Sequence, residues 1–234
     1  MMDRIPDQEE PKETPSFSNF LPRRSAVEAT RRYLPHWQLN EGLYFVTWRL
    51  ADSLPQPLLR QWHAERRLWL EKHPKPWTPN IREEYQQAFP RRLETWLDAG
   101  YGACVPREPA CSDILAQVML RFDGTRYDMA SFIVMPNHVH ALFQLRGNTV
   151  LPELLKAWKG SAARKINVHL GRRGTLWMDE SRDTSIRNPD HLARCYGYIR
   201  ENPVTAGLRD GEFFYHEFSG IEGQIREWSG DFDK

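Results

Sequence analysis

The chain has 234 residues, of which 40% are hydrophobic and 27% charged, so it can bury a substantial core and one domain is expected. Its formal net charge of +1 gives no indication of a nucleic-acid partner, and no stretch approaches the ~20 apolar residues of a membrane span. The three cysteines form no C-x-x-C pair and the N-terminus has no apolar signal segment, which favours reduced thiols in a cytoplasmic protein.

The first half of the chain predicts one strand followed by helices. Residues 1–30 are expected to form a disordered arm, because this polar segment is rich in Pro and Glu. An aromatic and β-branched run predicts a strand over 42–50. Apolar residues at helical spacing predict a helix ending near residue 72 and another over 81–98, which Pro90 must kink or split.

The second half predicts two central strands, 131–134 and 138–145, that are separated by Pro136-Asn137. An amphipathic helix follows over 151–170, then a brief extended piece at 176–178. The last helix is expected to end at Asn202, because Pro203 disfavours helical geometry in the residue before it. This order predicts an α+β fold of ferredoxin-like type, an antiparallel sheet with helices on one face.

Two histidines share one face of the second central strand. Side chains two residues apart in a strand point to the same face, so His138 and His140 lie side by side. The intervening residues, such as Val139 and Ala141, form a core face. Two imidazoles at this spacing can reach one metal ion, but they make only half of a metal site.

The last helix offers the remaining groups. Leu192, Tyr196 and Ile199 form its buried stripe, whereas Tyr198 and Asn202, four residues apart, are stacked on one flank. Beside a divalent cation, a tyrosine can attack a phosphodiester, and an amide oxygen can be a hard third ligand. From the residues alone, Tyr198 also fits an ordinary boundary position and Asn202 an ordinary helix end.

Charge is unevenly distributed along the chain. Residues 153–200 contain ten Lys or Arg and five Asp or Glu, whereas residues 209–234 contain three basic and seven acidic residues. A basic field beside the paired histidines suits a phosphate-bearing partner, although a solvated helix face has the same composition.

The motif MPNHVH at 135–140, followed by YIRENPV at 198–204, resembles the signature pair of the REP-associated tyrosine transposases. These are IS200-like members of the HUH single-strand transposases. The similarity extends over about 31–208 and includes RRYLPHW at 31–37 and GTLW at 174–177. One departure is Arg182, where relatives usually have an aromatic residue, so a stacking role at this position has no support.

The resemblance implies an RRM-like HUH nuclease fold and a transposase that nicks and rejoins single-stranded DNA near REP-like palindromic hairpins. His138, His140 and Asn202 would hold Mg²⁺ or Mn²⁺, and Tyr198 would form a 5′-phosphotyrosine while releasing a 3′-OH. The residues expected to hold backbone phosphates are Lys156, Lys159, Arg164, Lys165, Arg172, Arg173 and Arg187.

The predicted transposase domain covers 31–218, with a helical insertion at about 73–112 of unassigned role, and 219–234 form an acidic tail. A monomer is expected, with a dimer as the alternative. Two other functions are considered: a catalytically idle hairpin DNA-binding protein of the same fold, and a metal-dependent hydrolase that activates water. The absence of an evident carboxylate base near the histidines argues against the hydrolase.

Overall fold

The computed structural model describes residues 14–20, 28–32, 34–38 and 41–229. Its strands are β1 (Glu28–Arg32), β2 (Leu34–Gln38), β3 (Leu43–Leu50), β4 (Tyr127–Val134), β5 (His138–Leu145), β6 (Trp177–Ser185) and β7 (Phe214–Glu217). Its α-helices are α1 (Gln56–Lys72), α2 (Pro79–Gln86), α3 (Arg92–Asp98), α4 (Pro109–Leu120), α5 (Leu151–His169), α6 (Pro189–Thr205) and α7 (Ile221–Ser229).

Five strands form one antiparallel sheet in the order β6-β3-β5-β4-β7, and β1 pairs with β2 separately. In chain order, the helices α1 to α4 join β3 to β4, a tight turn joins β4 to β5, and α5 joins β5 to β6. The four strands β6, β3, β5 and β4 therefore have the ferredoxin-like order: β6 lies beside β3, and β5 lies between β3 and β4. The predicted α+β antiparallel fold is confirmed.

The helices α4 and α5 cover one face of the sheet. Val139, Ala141 and Phe143 of β5 point into this core, as the two-residue alternation predicts. Trp158 of α5 packs edge-on against Tyr127 and Phe143 and is 2% exposed. It is therefore a core residue and is not available to stack on a nucleic-acid base.

The helices α6 and α7 cover the opposite face, so the expectation of helices on one face holds only for α4 and α5. Ile199 of α6 and Ile221 of α7 are buried in a second core with Ile133 and Leu142 of the sheet. This second layer follows the ferredoxin-like unit in the chain. It lies on the face that carries the paired histidines.

Two sequence predictions about the last third of the chain are wrong. The extended piece at 176–178 is the start of the nine-residue strand β6, whose polar residues suit a sheet edge. The helix α6 continues through Pro203 to Thr205, one turn beyond the predicted end. Proline in a last helical turn interrupts only one backbone hydrogen bond, and here its ring is buried.

The chain ends are more ordered than predicted. Within the expected disordered arm, residues 14–20 pack on the sheet: Phe17 is fully buried and contacts Phe218 edge-on. Part of the expected acidic tail is the helix α7, because Ile221 and Ile225 supply a buried stripe. Residues 1–13, 21–27 and 230–234 lie outside the described residues.

Three helices lie between β3 and α4, and the first of them is the predicted helix that ends near residue 72. They are α1, α2 and α3, with a π turn at Gln87–Arg91 that contains Pro90, so the predicted interruption at this proline is confirmed. The next helix, α4, belongs to the sheet layer instead. Within the described part of the chain, no helix combines the length and apolar composition needed to cross a bilayer.

Candidate functional site

The strand β5 holds His138 and His140 on the face covered by α6. Both side chains are 1% exposed, and their ring centroids are 4.7 Å apart. Phe45 of the neighbouring strand β3 stacks on the His140 ring, with centroids 5.6 Å apart. The two imidazoles are therefore fixed side by side in a buried position, as the sequence predicts.

Both imidazoles are oriented by a hydrogen bond at Nδ1. His138 Nδ1 lies 2.8 Å from Asn137 Oδ1, and His140 Nδ1 lies 2.8 Å from Thr47 Oγ1. An amide oxygen can only accept, so His138 carries its proton on Nδ1. The Nε2 lone pair of His138 is then available to a ligand. When His140 likewise donates its Nδ1 proton to Thr47 Oγ1, the Nε2 lone pair of His140 is available too.

The helix α6 brings Tyr198 and Asn202 to the histidines. The Tyr198 ring meets the His140 ring edge-on at 5.0 Å, and Asn202 Nδ2 lies 3.5 Å from His140 Nε2. Asn202 is 3% exposed, whereas Tyr198 is half-buried. The four residues that the sequence assigned to catalysis and metal binding thus meet in one place.

Asn202 has a property that suits a metal ligand. Its Oδ1 is buried and has no hydrogen-bond partner among the described residues. A buried acceptor left unpaired costs about 1–3 kcal/mol, which a cation would offset. Two imidazole nitrogens and an amide oxygen fit Mg²⁺ or Mn²⁺, and rotating the amide by half a turn directs Oδ1 to the His140 side.

The Tyr198 hydroxyl is protonated at neutral pH. Burial raises the pKa of this phenol above its usual value, and the carboxylates of Glu94 and Asp98 raise it further. A hydrogen bond from Asn202 and the nearby Arg182 guanidinium lower the pKa by smaller amounts. A protonated phenol is a poor nucleophile, so catalysis by Tyr198 requires a proton acceptor.

Both carboxylates come from α3, which lies in the segment that the sequence predicts as a helical insertion. Burial raises the pKa of Glu94, and it raises the pKa of Asp98 to about 6, with help from Glu94. A cavity of about 210 Å³ separates α3 from α6. It is lined by Arg91, Glu94, Thr95, Asp98, Tyr198, Glu201, Asn202 and Thr205. The sequence indicated no evident carboxylate base near the histidines, and the structure places these two carboxylates on the cavity beside Tyr198.

Two arginines on neighbouring strands also belong to this face. Arg182 of β6 lies opposite Thr47 of β3, and Thr47 in turn lies opposite His140 of β5. Arg49 of β3 lies opposite His138 of β5. Arg182 Nη1 lies 3.5 Å from Glu94 Oε1, so it links β6 to α3. Sequence reasoning gave Arg182 no role here, because β6 was not predicted as a strand and the docking of α3 leaves no local pattern. It also gave none to Arg49, although that residue lies in the predicted strand over 42–50.

The predicted phosphate-binding residues lie elsewhere. Lys156, Arg164 and Lys165 are exposed on α5, which covers the face opposite the histidines. Lys159 Nζ donates to the Asp179 carbonyl at 2.7 Å. Arg172 and Arg173 follow α5, and Arg187 lies before α6. The sheet therefore separates the four basic residues of α5 from the paired histidines.

A separate group of potential ligands joins α4 to α5. Donor atoms of Glu108, Cys111 and His169 lie within 4.8 Å of one another, and His169 Nε2 is 2.9 Å from Glu108 Oε1. The cysteines are free thiols, as expected. Burial and the adjacent Glu108 raise the pKa of Cys111 to about 11, which keeps the thiol protonated in the absence of a metal.

Comparison with known proteins agrees with the sequence resemblance. Residues 108–202 match the family described as Transposase IS200 like. This segment contains both histidines, Tyr198 and Asn202, and it confirms the resemblance to IS200-like transposases drawn from the motifs. No curated protein matches the chain.

Several solved structures are similar to the chain. Among them is a REP-associated tyrosine transposase bound to a REP hairpin, with 17% identity, 78% of this chain and 76% of that chain covered, and a TM-score of 0.43. Another is a candidate transposase from Deinococcus radiodurans R1, with 16% identity, 75% of this chain and 98% of that chain covered, and a TM-score of 0.34.

The buried histidines predict a loss of stability at acidic pH. Burial lowers the pKa of His138 to about 3 from an ordinary 6.5, so protons bind the unfolded chain more tightly. The stability contributed by the neutral ring is complete above about pH 6.5 and falls by ~1.4 kcal/mol per pH unit below it. Urea unfolding in chelator at pH 7.5 and 5.5 should show this decrease.

The matched variant is His138→Gln, which keeps a polar side chain but does not titrate. Near pH 5.5, this variant should take up about one proton fewer on unfolding than the wild type does. Its free energy of unfolding should therefore depend less steeply on pH. Equal pH dependence in the two proteins would contradict a buried neutral His138.

Proposed function

We propose that this protein is a single-strand DNA transposase that nicks and rejoins DNA through Tyr198. The observation that carries the proposal is the meeting of His138 and His140 with Tyr198 and Asn202 across one cleft. These residues come from β5 and α6, about sixty positions apart in the chain, and all lie in the segment that matches IS200-like transposases.

The metal site of the proposal consists of His138, His140 and Asn202. When bound there, a Mg²⁺ or Mn²⁺ ion would polarise a phosphoryl oxygen of the scissile phosphate. Asn137 and Thr47 contact the two imidazoles at Nδ1, so Nε2 is the nitrogen of each ring that would take this role. Such outer partners fix the tautomer and the direction of a ligand.

In the proposed reaction, the Tyr198 oxygen attacks the phosphorus and the 3′ oxygen leaves. The product is a 5′-phosphotyrosine that retains the bond energy, so a 3′-OH can reverse the step without ATP. The cations Arg49 and Arg182, on the same sheet face as the histidines, are suited to hold the phosphate. All the groups lie within one chain, which supports a monomer.

The proposed substrate is single-stranded DNA with a palindromic hairpin. It follows from the resemblance to REP-associated transposases, and the similar solved protein is itself described as bound to a REP hairpin.

A metal-dependent hydrolase is the second candidate, because Asp98 and Glu94 line the cavity beside Tyr198. Either carboxylate is chemically able to accept a proton from water. In that case Tyr198 would be a bystander. The two functions differ in whether a covalent protein–DNA intermediate forms.

Replacement of Tyr198 by Phe distinguishes the two candidate functions. With labelled hairpin DNA and Mn²⁺, the wild type should form an adduct that survives denaturation, and Tyr198→Phe should form none, since it lacks the attacking oxygen. Denaturing gels measure both adduct and cleaved strand. DNA cleavage that persists in Tyr198→Phe would contradict the transposase and support the hydrolase.

A mixing control tests whether one chain supplies the whole site. His140→Ala, which should also be inactive, is mixed with Tyr198→Phe. No adduct should form, because neither chain has a complete cleft. Recovery of adduct in the mixture would indicate active sites shared between two chains.

The exposed basic residues of α5 are proposed to contact backbone phosphates away from the cleavage site. Each phosphate that such a residue neutralises adds ~0.7–0.9 to the slope of log affinity against log salt. Lys165→Ala should therefore reduce the slope for hairpin binding by up to ~1. Lys72→Ala, an exposed change at the end of α1, is the control, and an equal slope in both variants would remove α5 from the interface.

A further inference from the structure

The helical insertion is attached to the candidate site by specific contacts. Asn137 Nδ2 donates to the carbonyls of Leu97 at 3.0 Å and Tyr101 at 3.2 Å, while its Oδ1 accepts from His138. Arg182 provides the second attachment, through Glu94 of α3. One end of α3 is therefore fixed to a residue that orients a histidine.

These contacts direct two carboxylates towards α6. Glu94 and Asp98 are four residues apart, so they lie on the same side of α3, and both line the cavity that contains Tyr198. The cavity also receives Asn202, which is 3% exposed and whose Oδ1 is unpaired within the described residues. The opening between α3 and α6 is thus polar and built from both helices.

The two carboxylates differ in their partners. Glu94 is paired with Arg182, whereas Asp98 Oδ1 is buried and has no hydrogen-bond partner among the described residues. An unpaired buried carboxylate oxygen contributes nothing to the packing of α3 and costs free energy. Its presence beside Tyr198 is explained if the oxygen is used when the hydroxyl reacts.

We propose that Asp98 is the proton acceptor for the Tyr198 hydroxyl, and that the helical insertion thereby completes the active site. The inference rests on the proposed transposase function, and it assigns a role to a segment outside the region that matches the family. The histidines are poor alternatives, because each Nδ1 has a partner and each Nε2 is assigned to the metal.

The Tyr198 oxygen forms a bond to phosphorus as its proton passes to the Asp98 carboxylate, and the bond from phosphorus to the 3′ oxygen breaks. The leaving oxygen takes a proton from water and becomes the 3′-OH, since in-line attack places it on the side away from Tyr198. In the reverse reaction, Asp98 returns the proton to the tyrosine oxygen.

The test is Asp98→Asn, which removes the basic oxygen but keeps the shape. Adduct formation is measured in a single turnover with saturating hairpin DNA and Mn²⁺, and hairpin affinity is measured separately. The rate should fall by ~10²–10⁴ while the dissociation constant is unchanged, because a proton acceptor acts only in the chemical step. Glu83→Gln, the same kind of change at an exposed site on α2, is the control and should keep the wild-type rate.

The two proposals fail in different ways. If the wild type forms no adduct through Tyr198, the transposase function fails and this inference fails with it. If the wild type forms the adduct and Asp98→Asn forms it at a similar rate, only the role of Asp98 is overturned. A loss of affinity with an unchanged rate at saturation would also overturn it, since that pattern indicates a binding role.

Chemical rescue provides a second route if Asp98→Asn is unstable. Asp98→Ala enlarges a cavity that is already about 210 Å³, so formate can enter and act as the base. Added formate should raise the rate of adduct formation in Asp98→Ala but not in Tyr198→Phe. Failure of formate to raise the rate in a folded Asp98→Ala would contradict the proposal.

Discussion

The packing of α6 on the histidine-bearing face of the sheet is the constraint on which the candidate site depends. Leu192, Tyr196 and Ile199 bury one side of the helix against the sheet, and Tyr196 also donates to Glu217 of β7 at 2.8 Å. Tyr198, two residues after Tyr196, must then lie at the edge of the packed surface. That edge is next to His140, so apolar burial fixes the distance between the proposed nucleophile and the proposed metal ligands.

The parts of the fold that depend on local periodicity could be predicted from the sequence. The alternation in β5 separated the histidines from the core residues, and helical spacing in α5 and α6 gave the correct buried stripes. Asn188 caps α6, since its side chain accepts from the His191 amide. These features are set by residues a few positions apart, which is the range that a sequence pattern can indicate.

The features that were missed depend on distant partners. The strand β6 has few apolar residues, and its conformation comes from pairing with β3, more than 120 positions earlier in the chain. Phe17 and α7 are ordered by packing on a sheet face that the predicted one-sided fold left open. Likewise, Asn137 looks like an ordinary turn residue until α3 is placed beside it, so the contribution of the insertion could not be predicted.

Anomalous diffraction from crystals grown with Mn²⁺ and hairpin DNA would locate the metal and the scissile phosphate in one experiment. One strong manganese peak is expected within coordination distance of His138 Nε2, His140 Nε2 and Asn202, with the Tyr198 hydroxyl facing the scissile phosphate. A strong peak at Glu108, Cys111 and His169 with none at the paired histidines, or a hairpin bound with its phosphates remote from Tyr198, would contradict it.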